Sequence, residues 1–239
     1  MTFAPVFHSE WIKIRTLRSL LAALAAILAV TALFSALASS DTGDDFDPLF
    51  SIFFGVSFGQ IAAIAFGTTA VSSEFHGGAL RLSLAAVPHR GRWFAAKATA
   101  IAAPVLAVGL VTGVVTLLVG RAVLGADADG LGWAEQIRGV VGCAVYLTLM
   151  ALFAAGLTAL LRSGTATLSI LIPFLLIVSF VVGDMSNNIA DLLPDRAGQV
   201  ALHETWDGAM GPWTGLAVTA LWTAAALAAG AWSVRRRDA

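Results

Sequence analysis

One pentapeptide in this sequence has the spacing of a catalytic serine. Gly55-Val56-Ser57-Phe58-Gly59 matches the G-x-S-x-G pattern, in which a serine on a sharp strand-to-helix turn is activated by a histidine. Here the pentapeptide lies inside a long apolar segment that favours a helix. The four histidines all lie outside such segments: His8, His76, His89 and His203. We therefore expect no catalytic residue at this position.

The motifs of nucleotide, metal and redox chemistry are missing as well. Lysine occurs only twice, and no phosphate-binding loop of the G-x-x-x-x-G-K-S/T type is present. His203-Glu204 does not begin an H-E-x-x-H zinc motif, because Asp207 occupies the place of the second histidine. The single cysteine, Cys143, cannot build a disulfide framework or a metal cluster. We expect no cofactor on this chain, so any ATP and Mg²⁺ would be bound by a partner.

Long blocks of the chain carry no charge at all. Of its 239 residues, 58% are hydrophobic and 12% are charged, whereas about a quarter are charged in a soluble domain. Six of these blocks reach about 20 residues, the length that a helix needs to cross the hydrocarbon core. The sequence therefore predicts one all-α transmembrane domain over residues 1–239. Its spans are 19–38, 49–71, 98–120, 139–161, 164–183 and 212–234.

The basic residues indicate how the spans are oriented. If the N-terminus is cytoplasmic, 11 of the 14 Lys and Arg residues fall in cytoplasmic segments and three in external ones, as the positive-inside rule requires. We expect a multi-pass protein with both termini cytoplasmic. Ala36-Leu37-Ala38 after an apolar run also imitates a signal-peptide cleavage site. The run from Ser19 is too long for such a peptide, which favours an uncleaved anchor.

Residues 1–18 have the pattern of an amphipathic helix. Four apolar residues recur at spacings of four, four and three, which places them on one helix face: Phe3, Phe7, Trp11 and Ile14. We expect this helix to lie in the headgroup plane, with its aromatic rings dipping inward and its basic residues facing anionic lipid. A flexible basic tail is the alternative. The charged residues off the apolar face are Glu10, Lys13 and Arg18.

The predicted cytoplasmic loop 72–97 contains a second short helix. Gly77-Gly78 breaks the helix that leaves the membrane, and Ala79 to Val87 can form about two turns before Pro88 stops them. This helix carries apolar side chains below the membrane, which either a partner protein or the inner leaflet would cover. We expect Glu74 to fix its junction with the second span. The side chains offered to a partner are Leu80, Arg81, Leu82 and Leu84.

The second span combines small and aromatic residues. Gly55 and Gly59 have the four-residue spacing that lets helix backbones approach closely. We expect this span to contribute to a contact between two subunits or to the translocation path, with packing inside one subunit as the alternative. The residues concerned are Phe54, Gly55, Phe58, Gly59 and Gln60, with Phe50 on the same aromatic stripe.

No ionisable side chain lies within the predicted spans, although ion-coupled transporters usually place such residues at membrane depth. The polar groups there are neutral, among them Gln60, Thr112 and Tyr146. A passage lined in this way suits an amphipathic or lipophilic cargo better than an ion. The external segment 184–211 is too polar to span, so we expect it to lie on or dip into the outer leaflet.

Together these segments resemble the ABC-2 type permeases, the membrane subunits of bacterial ABC exporters. Ser9-Glu10-Trp11-Ile12-Lys13-Ile14-Arg15-Thr16 resembles the interfacial elbow helix of that family, marked here by Trp11, Lys13 and Arg15. Glu74-x-x-Gly77-Gly78-Ala79-Leu80 and Pro88-His89-Arg90 are similar to its coupling-helix region. The resemblance implies that the coupling residues are Glu74, Gly77, Gly78, Leu80, Arg81, Leu82, Leu84, Pro88 and Arg90.

The resemblance also implies partners and a location. It implies six helices per subunit, a homodimer or heterodimer of permeases, and two ATPase subunits on the inner face of the bacterial cytoplasmic membrane. Lipid is the other partner, and we expect no nucleic acid. The resemblance therefore implies that the protein exports a drug, antibiotic, peptide or lipid-like cargo. Two alternatives stay open: a secondary transporter or channel, which would work without an ATPase, and a membrane enzyme, which would need paired His, Asp or Cys at membrane depth.

Overall fold

The computed structural model of the chain describes residues 3–40, 47–76, 79–87, 89–175, 191–206 and 210–236, and all regular structure in these ranges is helical. Helices satisfy every backbone hydrogen bond within one segment, which a lipid environment demands. The helices are α1 (Phe3–Thr16), α2 (Arg18–Ala38), α3 (Pro48–Phe53), α4 (Val56–Ser72), α5 (Ala79–Ala86), α6 (Arg90–Leu124), α7 (Trp133–Leu161), α8 (Gly164–Pro173), α9 (Pro194–Gln199) and α10 (Pro212–Arg236). Short 3-10 turns follow α4, α6 and α9.

Five helical segments in the described part are long and apolar enough to cross a membrane. They are α2, α3 together with α4, α6, α7 and α10, so the chain is an all-helical, multi-pass membrane protein. The predicted fifth span, 164–183, begins as α8, and its residues beyond 175 lie outside the described ranges.

Two helices run past the predicted limits of their spans. α6 begins at Arg90 rather than at residue 98, and α7 begins at Trp133 rather than at residue 139. Lack of charge marks only the part of a helix that lies in hydrocarbon. The helix itself continues beyond that part, where a charged side chain can be hydrated or, like Lys97, be paired with buried carboxylates.

The second span consists of two helices rather than one. α3 ends at Phe53 and α4 begins at Val56, and between them the Gly55 amide donates a hydrogen bond to Ser35 Oγ of α2 (3.0 Å). A Cβ on Gly55 would lie 1.9 Å from the carbonyl oxygen of Thr31, so α2 crosses in direct backbone contact. The junction between α3 and α4 is therefore set by the crossing of α2.

α7 lies at the centre of the bundle and contacts α4, α6 and α10. Small residues permit these contacts: a Cβ on Gly67 would lie 2.0 Å from the carbonyl oxygen of Ala151. Gly156 approaches the backbone of Ala226 in the same way. Since lipid tails are as apolar as leucine, helices in a membrane gain little from hiding apolar surface and depend on such close van der Waals packing.

The bundle has two distinct ends, because α2 and α6 run in one direction and α4, α7 and α10 run in the other. The α1 end gathers α1, α5, the start of α6 and the last turn of α10, where Arg90 Nη1 donates to the Val234 carbonyl oxygen (3.0 Å). The α9 end gathers α3, α9 and the junction of α6 with α7. Of the 13 basic residues in the described ranges, ten lie at the α1 end and three at the α9 end. The three are Arg121, Arg138 and Arg196.

Exposed tryptophans near both ends of α10 mark a membrane-sized interval. Trp213 lies at the α9 end and Trp232 at the α1 end, and both are exposed. Their separation along the helix corresponds to about 28 Å, at 1.5 Å per residue. This matches a hydrocarbon core of about 30 Å, whose two interfaces are where tryptophan is enriched.

The described part of the segment 184–211 packs into the bundle. α9 lies against α7 and α10, where Gly198 meets the Tyr146 ring and Gly215 meets the Ala197 backbone. Thr219 Oγ1 donates to the carbonyl oxygen of Pro194 (2.8 Å). A segment too polar to span on its own is therefore held at the α9 end by helix contacts and hydrogen bonds.

Candidate functional site

The short helix α5 carries both packed and exposed apolar residues. Leu80 is buried and Leu84 packs against the core, whereas the Leu82 side chain is 75% exposed. We expected all three leucines to be available to a partner. Leu80 is instead buried and Leu84 is half-buried against the chain's own core, and the docking of a partner on α5 stays a prediction. Leu82 and the exposed Arg81 are what α5 presents outward.

A buried cluster of charged side chains holds α5 to the membrane spans. Glu74, in the turn after α4, is only 2% exposed. Its Oε1 accepts hydrogen bonds from Lys97 Nζ of α6 (2.7 Å) and Lys13 Nζ of α1 (2.8 Å). Its Oε2 accepts from Ser83 Oγ of α5 (3.0 Å). One carboxylate therefore joins four separate elements.

α1 contributes a second carboxylate to this cluster. Glu10, also 2% exposed, forms an ion pair with Lys97 and accepts a hydrogen bond from Lys13 Nζ (2.9 Å). The sequence pattern placed Glu10 and Lys13 off the apolar face and predicted that the basic residues there meet anionic lipid. Glu10 is instead buried, and Lys13, 39% exposed, is paired with carboxylates of its own chain. The buried side of α1 carries Val6, Glu10 and Ile14, because the ion pairs turn that side towards α6.

The cluster is electrically balanced, with two carboxylates and two ammonium groups. Burial alone would lower the pKa of Lys13, but hydrogen bonds to Glu74 and Glu10 and their negative charge outweigh it and raise the pKa above its ordinary value of 10.5. Lys13 therefore stays protonated. An unpaired charge would be costly to bury, so each member of the cluster depends on the others.

The other predicted residues of this end have distinct places. Trp11 is half-buried and stacks on Phe7, with ring centroids 6.1 Å apart, and Arg15 is exposed. Arg90 caps the last carbonyls of α10. Three predicted coupling residues, Gly77, Gly78 and Pro88, lie outside the described ranges.

At the α9 end, the Gly55 and Gly59 faces are occupied by α2 of the same chain. A Cβ on Gly59 would lie 2.0 Å from Thr31 Oγ1, and the Phe58 ring stacks on Phe34 at a centroid distance of 4.1 Å. Packing inside the subunit, the alternative named above, thus accounts for these residues. The contact between two subunits stays a prediction. Of the aromatic side chains proposed for it, Phe54 is half-buried and could still contribute.

A neutral hydrogen-bond network crosses the bundle beside these rings. Tyr146 Oη of α7 donates to Gln60 Oε1 of α4 and accepts from Gln199 Nε2 of α9 (3.1 Å). Ser57 Oγ in turn donates to Gln199 Oε1 (3.1 Å). The Ser57 of the G-x-S-x-G pattern therefore bonds an amide, and no described histidine contacts its hydroxyl.

This network forms one wall of a cavity of about 520 Å³ at the α9 end. The other walls combine aromatic rings with polar and charged groups of residues 191–203. Sequence reasoning found the rings and Gln60 but missed the residues from that segment, whose polarity suggested only an external position. These are Asp191, Asp195, Arg196, Gln199 and His203.

No three His, Cys, Asp or Glu side chains converge on a possible metal position within the described ranges. Comparison with known proteins adds no identity: no family model matches the chain, and no curated protein matches it significantly.

Proposed function

We propose that this chain is the permease subunit of an ATP-driven exporter of the ABC-2 type, which moves an amphipathic or lipophilic cargo across the bacterial cytoplasmic membrane. In this proposal a separate ATPase subunit docks on α5. A second permease subunit, identical or related, completes the transporter, and the membrane domain supplies the path while the partner hydrolyses ATP.

The observation that carries the proposal is a short helix that lies beyond the span ends and is rigidly fixed to them. Glu74 bonds Ser83 of α5 and Lys97 of α6 at the same time. A push on α5 would reach α1 and α6 through Ser83, whose hydroxyl donates to Glu74 and accepts from Lys13. Glu74 is in turn held by ion pairs with Lys13 and Lys97. Such a rigid lever is what a transporter needs if its energy comes from another protein.

The exposed Leu82 side chain supports the docking part of the proposal. Burying a leucine side chain contributes about 1.5–3 kcal/mol, so a partner with an apolar cleft would gain from covering it. Arg81 beside it offers a positive charge for an acidic rim on that partner.

The test is to purify the tagged chain from its native cells and measure ATPase activity in the purified fraction. The variant Leu82→Asp should lose the ATPase, because a carboxylate replaces the apolar contact while no span is altered. Leu192→Asp, at an exposed leucine of the α9 end, is the matched control and should retain it.

Two results would contradict the proposal at different levels. If Leu82→Asp retains both its ATPase and normal transport, the docking role of α5 is wrong. If the unaltered chain transports without any ATPase, a secondary transporter or channel replaces the exporter.

A further inference from the structure

The cavity at the α9 end, about 520 Å³ in volume, reaches well into the membrane-sized interval marked on α10. Helix α9 begins at Pro194, whose carbonyl oxygen accepts from Thr219 Oγ1 of α10 (2.8 Å). Thr219 lies six residues along α10 from Trp213, which corresponds to about 9 Å at 1.5 Å per residue. Trp222 Nε1, one turn further along α10, donates to a carbonyl oxygen just before α9 (3.0 Å). The residues around the start of α9 therefore line the deep part of the cavity.

Two carboxylates, those of Asp191 and Asp195, belong to this deep part of the lining. An ionisable side chain at membrane depth is costly, and it is retained where it faces a cavity, a charged partner or a substrate path. Neither residue falls within a predicted span, because both belong to the segment 184–211, which was expected to lie at the outer leaflet. Their depth marks this cavity as a candidate binding site.

Asp191 is the member of the charged lining that is left for a ligand. His203 is hydrogen-bonded to Asp47 through Nδ1 (3.2 Å), and Asp195 and Arg196 already have partners. Asp191, which is half-buried, forms no hydrogen bond or ion pair with any residue in the described part of the chain. With histidine counted as neutral, the described lining holds two carboxylates and one guanidinium, so its formal net charge is −1. A positively charged group would pair with Asp191.

Three phenylalanine rings form another wall of the same cavity. Phe54 lies between Phe50 and Phe58, with ring centroids 5.8 and 5.7 Å away. The Phe50 ring is stacked on His203 and the Phe58 ring on Phe34, both at 4.1 Å, whereas Phe54 is stacked on no ring of the described residues. The face of an aromatic ring attracts a cation, and aromatic walls bind quaternary ammonium groups in this way. The rings therefore favour the same charge that Asp191 does.

The neutral wall of the cavity needs few hydrogen bonds from a ligand. Ser57 Oγ donates to Gln199 Oε1, Gln199 Nε2 donates to Tyr146 Oη, and Gln60 Nε2 donates to the Ser57 carbonyl oxygen (2.9 Å). These polar groups are thus paired among themselves. A ligand rich in hydroxyl groups, such as a sugar, would lose hydrogen bonds to water without gaining replacements here. An apolar body has no such bonds to lose.

We propose that this cavity binds an organic cation with an apolar body, whose charge pairs with Asp191 and whose apolar groups lie against Phe50, Phe54 and Phe58. A volume of about 520 Å³ suits a molecule of drug size. A bare metal ion would need several oxygen ligands, and no three His, Cys, Asp or Glu side chains converge within the described ranges. Binding itself is independent of the exporter function. That the bound cation is the cargo rests on that proposed function.

Equilibrium dialysis of the purified full chain in an uncharged detergent tests this site. The two probes are tetraphenylphosphonium and tetraphenylborate, which have nearly the same size and shape and opposite charges. We expect saturable binding of tetraphenylphosphonium above that of empty micelles, and no saturable binding of tetraphenylborate. Asp191→Asn keeps the shape of the side chain and breaks no bond within the described part, and it should weaken binding about tenfold. Phe54→Leu, which removes one ring face, should weaken binding about threefold.

Asp127→Asn is the matched control, since Asp127 is an exposed carboxylate of the same end and lies outside the cavity lining. It should bind tetraphenylphosphonium as the original chain does, and Asp191→Glu, which keeps the charge, should bind it more tightly than Asp191→Asn.

The cation site is wrong if tetraphenylphosphonium does not saturate, if both probes bind equally, or if Asp191→Asn and Asp127→Asn have equal affinity. The exporter proposal survives such a result when an ATPase purifies with the chain. Conversely, a chain that binds tetraphenylphosphonium through Asp191 and transports without any ATPase keeps the cation site and contradicts the exporter.

Discussion

The two ends of the bundle solve the problem of buried polar groups in different ways. At the α1 end, Glu74 and Glu10 are fully buried as ions and are paired with Lys97 and Lys13. Towards the α9 end, the groups that join α4, α7 and α9 are neutral amides and hydroxyls around Tyr146. Buried ion pairs join α1, α6 and the turn after α4 at the first end, whereas the bonds that join α4, α7 and α9 are uncharged.

Depth in the membrane explains this difference. A charge far inside hydrocarbon is expensive, whereas near a helix end it needs only a partner and a short path to the headgroups. The neutral network borders an open cavity, and exchanging one neutral hydrogen bond for another costs little. The α1 end is therefore held by buried ion pairs, and the neutral network lies beside a cavity at the α9 end.

The largest expected effect concerns orientation, since the basic residues predict that the two ends lie on opposite sides of the membrane. In a chain whose Cys143 is replaced by alanine, a cysteine at Trp133 should react with a membrane-impermeant thiol reagent added outside intact cells. A cysteine at Leu82 should react only after the cells are opened. Both positions are highly exposed, so the result is all or none. Reaction of the Leu82 cysteine in intact cells would refute the orientation expected from the basic residues.

Removing the central carboxylate of the α1 end should have the largest effect on stability. Glu74→Ala leaves Lys97 buried with one fewer counter-charge and frees Ser83, and we expect a loss of about 3–5 kcal/mol in the free energy of unfolding. Chemical unfolding in detergent measures it. Asp127→Ala, at an exposed carboxylate of the α9 end, should change stability by less than about 0.5 kcal/mol. Equal effects of the two variants would show that the cluster contributes no special rigidity.

Removing the central hydroxyl of the neutral network should lower the free energy of unfolding by less than Glu74→Ala does. Tyr146→Phe deletes one bond given to Gln60 and one accepted from Gln199, and hydrogen bonds between membrane helices contribute about 0.6–1.7 kcal/mol each. The same unfolding measurement applies. Thr148→Val is the control, because its hydroxyl bonds only the Ala144 carbonyl of its own helix (2.7 Å). A loss as large as that of Glu74→Ala would remove the contrast between the ends.

The smallest expected effect is a pH dependence of the free energy of unfolding. Asp47 at the α9 end loses its contribution at low pH, and Lys13 at the α1 end loses its contribution at high pH. Burial would raise the pKa of Asp47, but hydrogen bonds from His203 and the Phe50 and Glu204 amides outweigh it, so the pKa lies below the ordinary 3.8. A lowered pKa gives stability above pH 3.8 that is lost as pH falls through the folded value. The raised pKa of Lys13 gives stability below pH 10.5 that is lost as pH rises through its folded value.

Paired melting curves measure this contrast. The unfolding temperature of Asp47→Asn should differ from that of the original chain near neutral pH and approach it below pH 3.8. The unfolding temperature of Lys13→Met should differ from that of the original chain near neutral pH and approach it above pH 10.5. We expect each difference near neutral pH to reflect about 1 kcal/mol or less, because both side chains are partly exposed. Differences that do not change with pH would mean that neither charge contributes through its protonation.

Much of the fold could be predicted from composition read in order along the chain. The positions of the apolar spans, the helical character of residues 3–16 and 79–86, and the grouping of basic residues are local properties. The helix boundaries were less accurate, because charge marks the hydrocarbon limit and not the end of the helix. The break at Gly55 could not be predicted, since it depends on α2.

The sequence by itself determined that this chain is helical, that it crosses the membrane several times and which residues gather at each end, because hydrophobicity and charge act over windows of one helix length. Only the tertiary structure decided which faces meet. The spans are apolar on nearly every side, so no stripe in the sequence indicates that Gly59 faces Thr31 or that Tyr146 reaches Gln60. The partners of Glu74 lie 23 and 61 residues away, and a carboxylate is paired by whichever lysines folding brings to it.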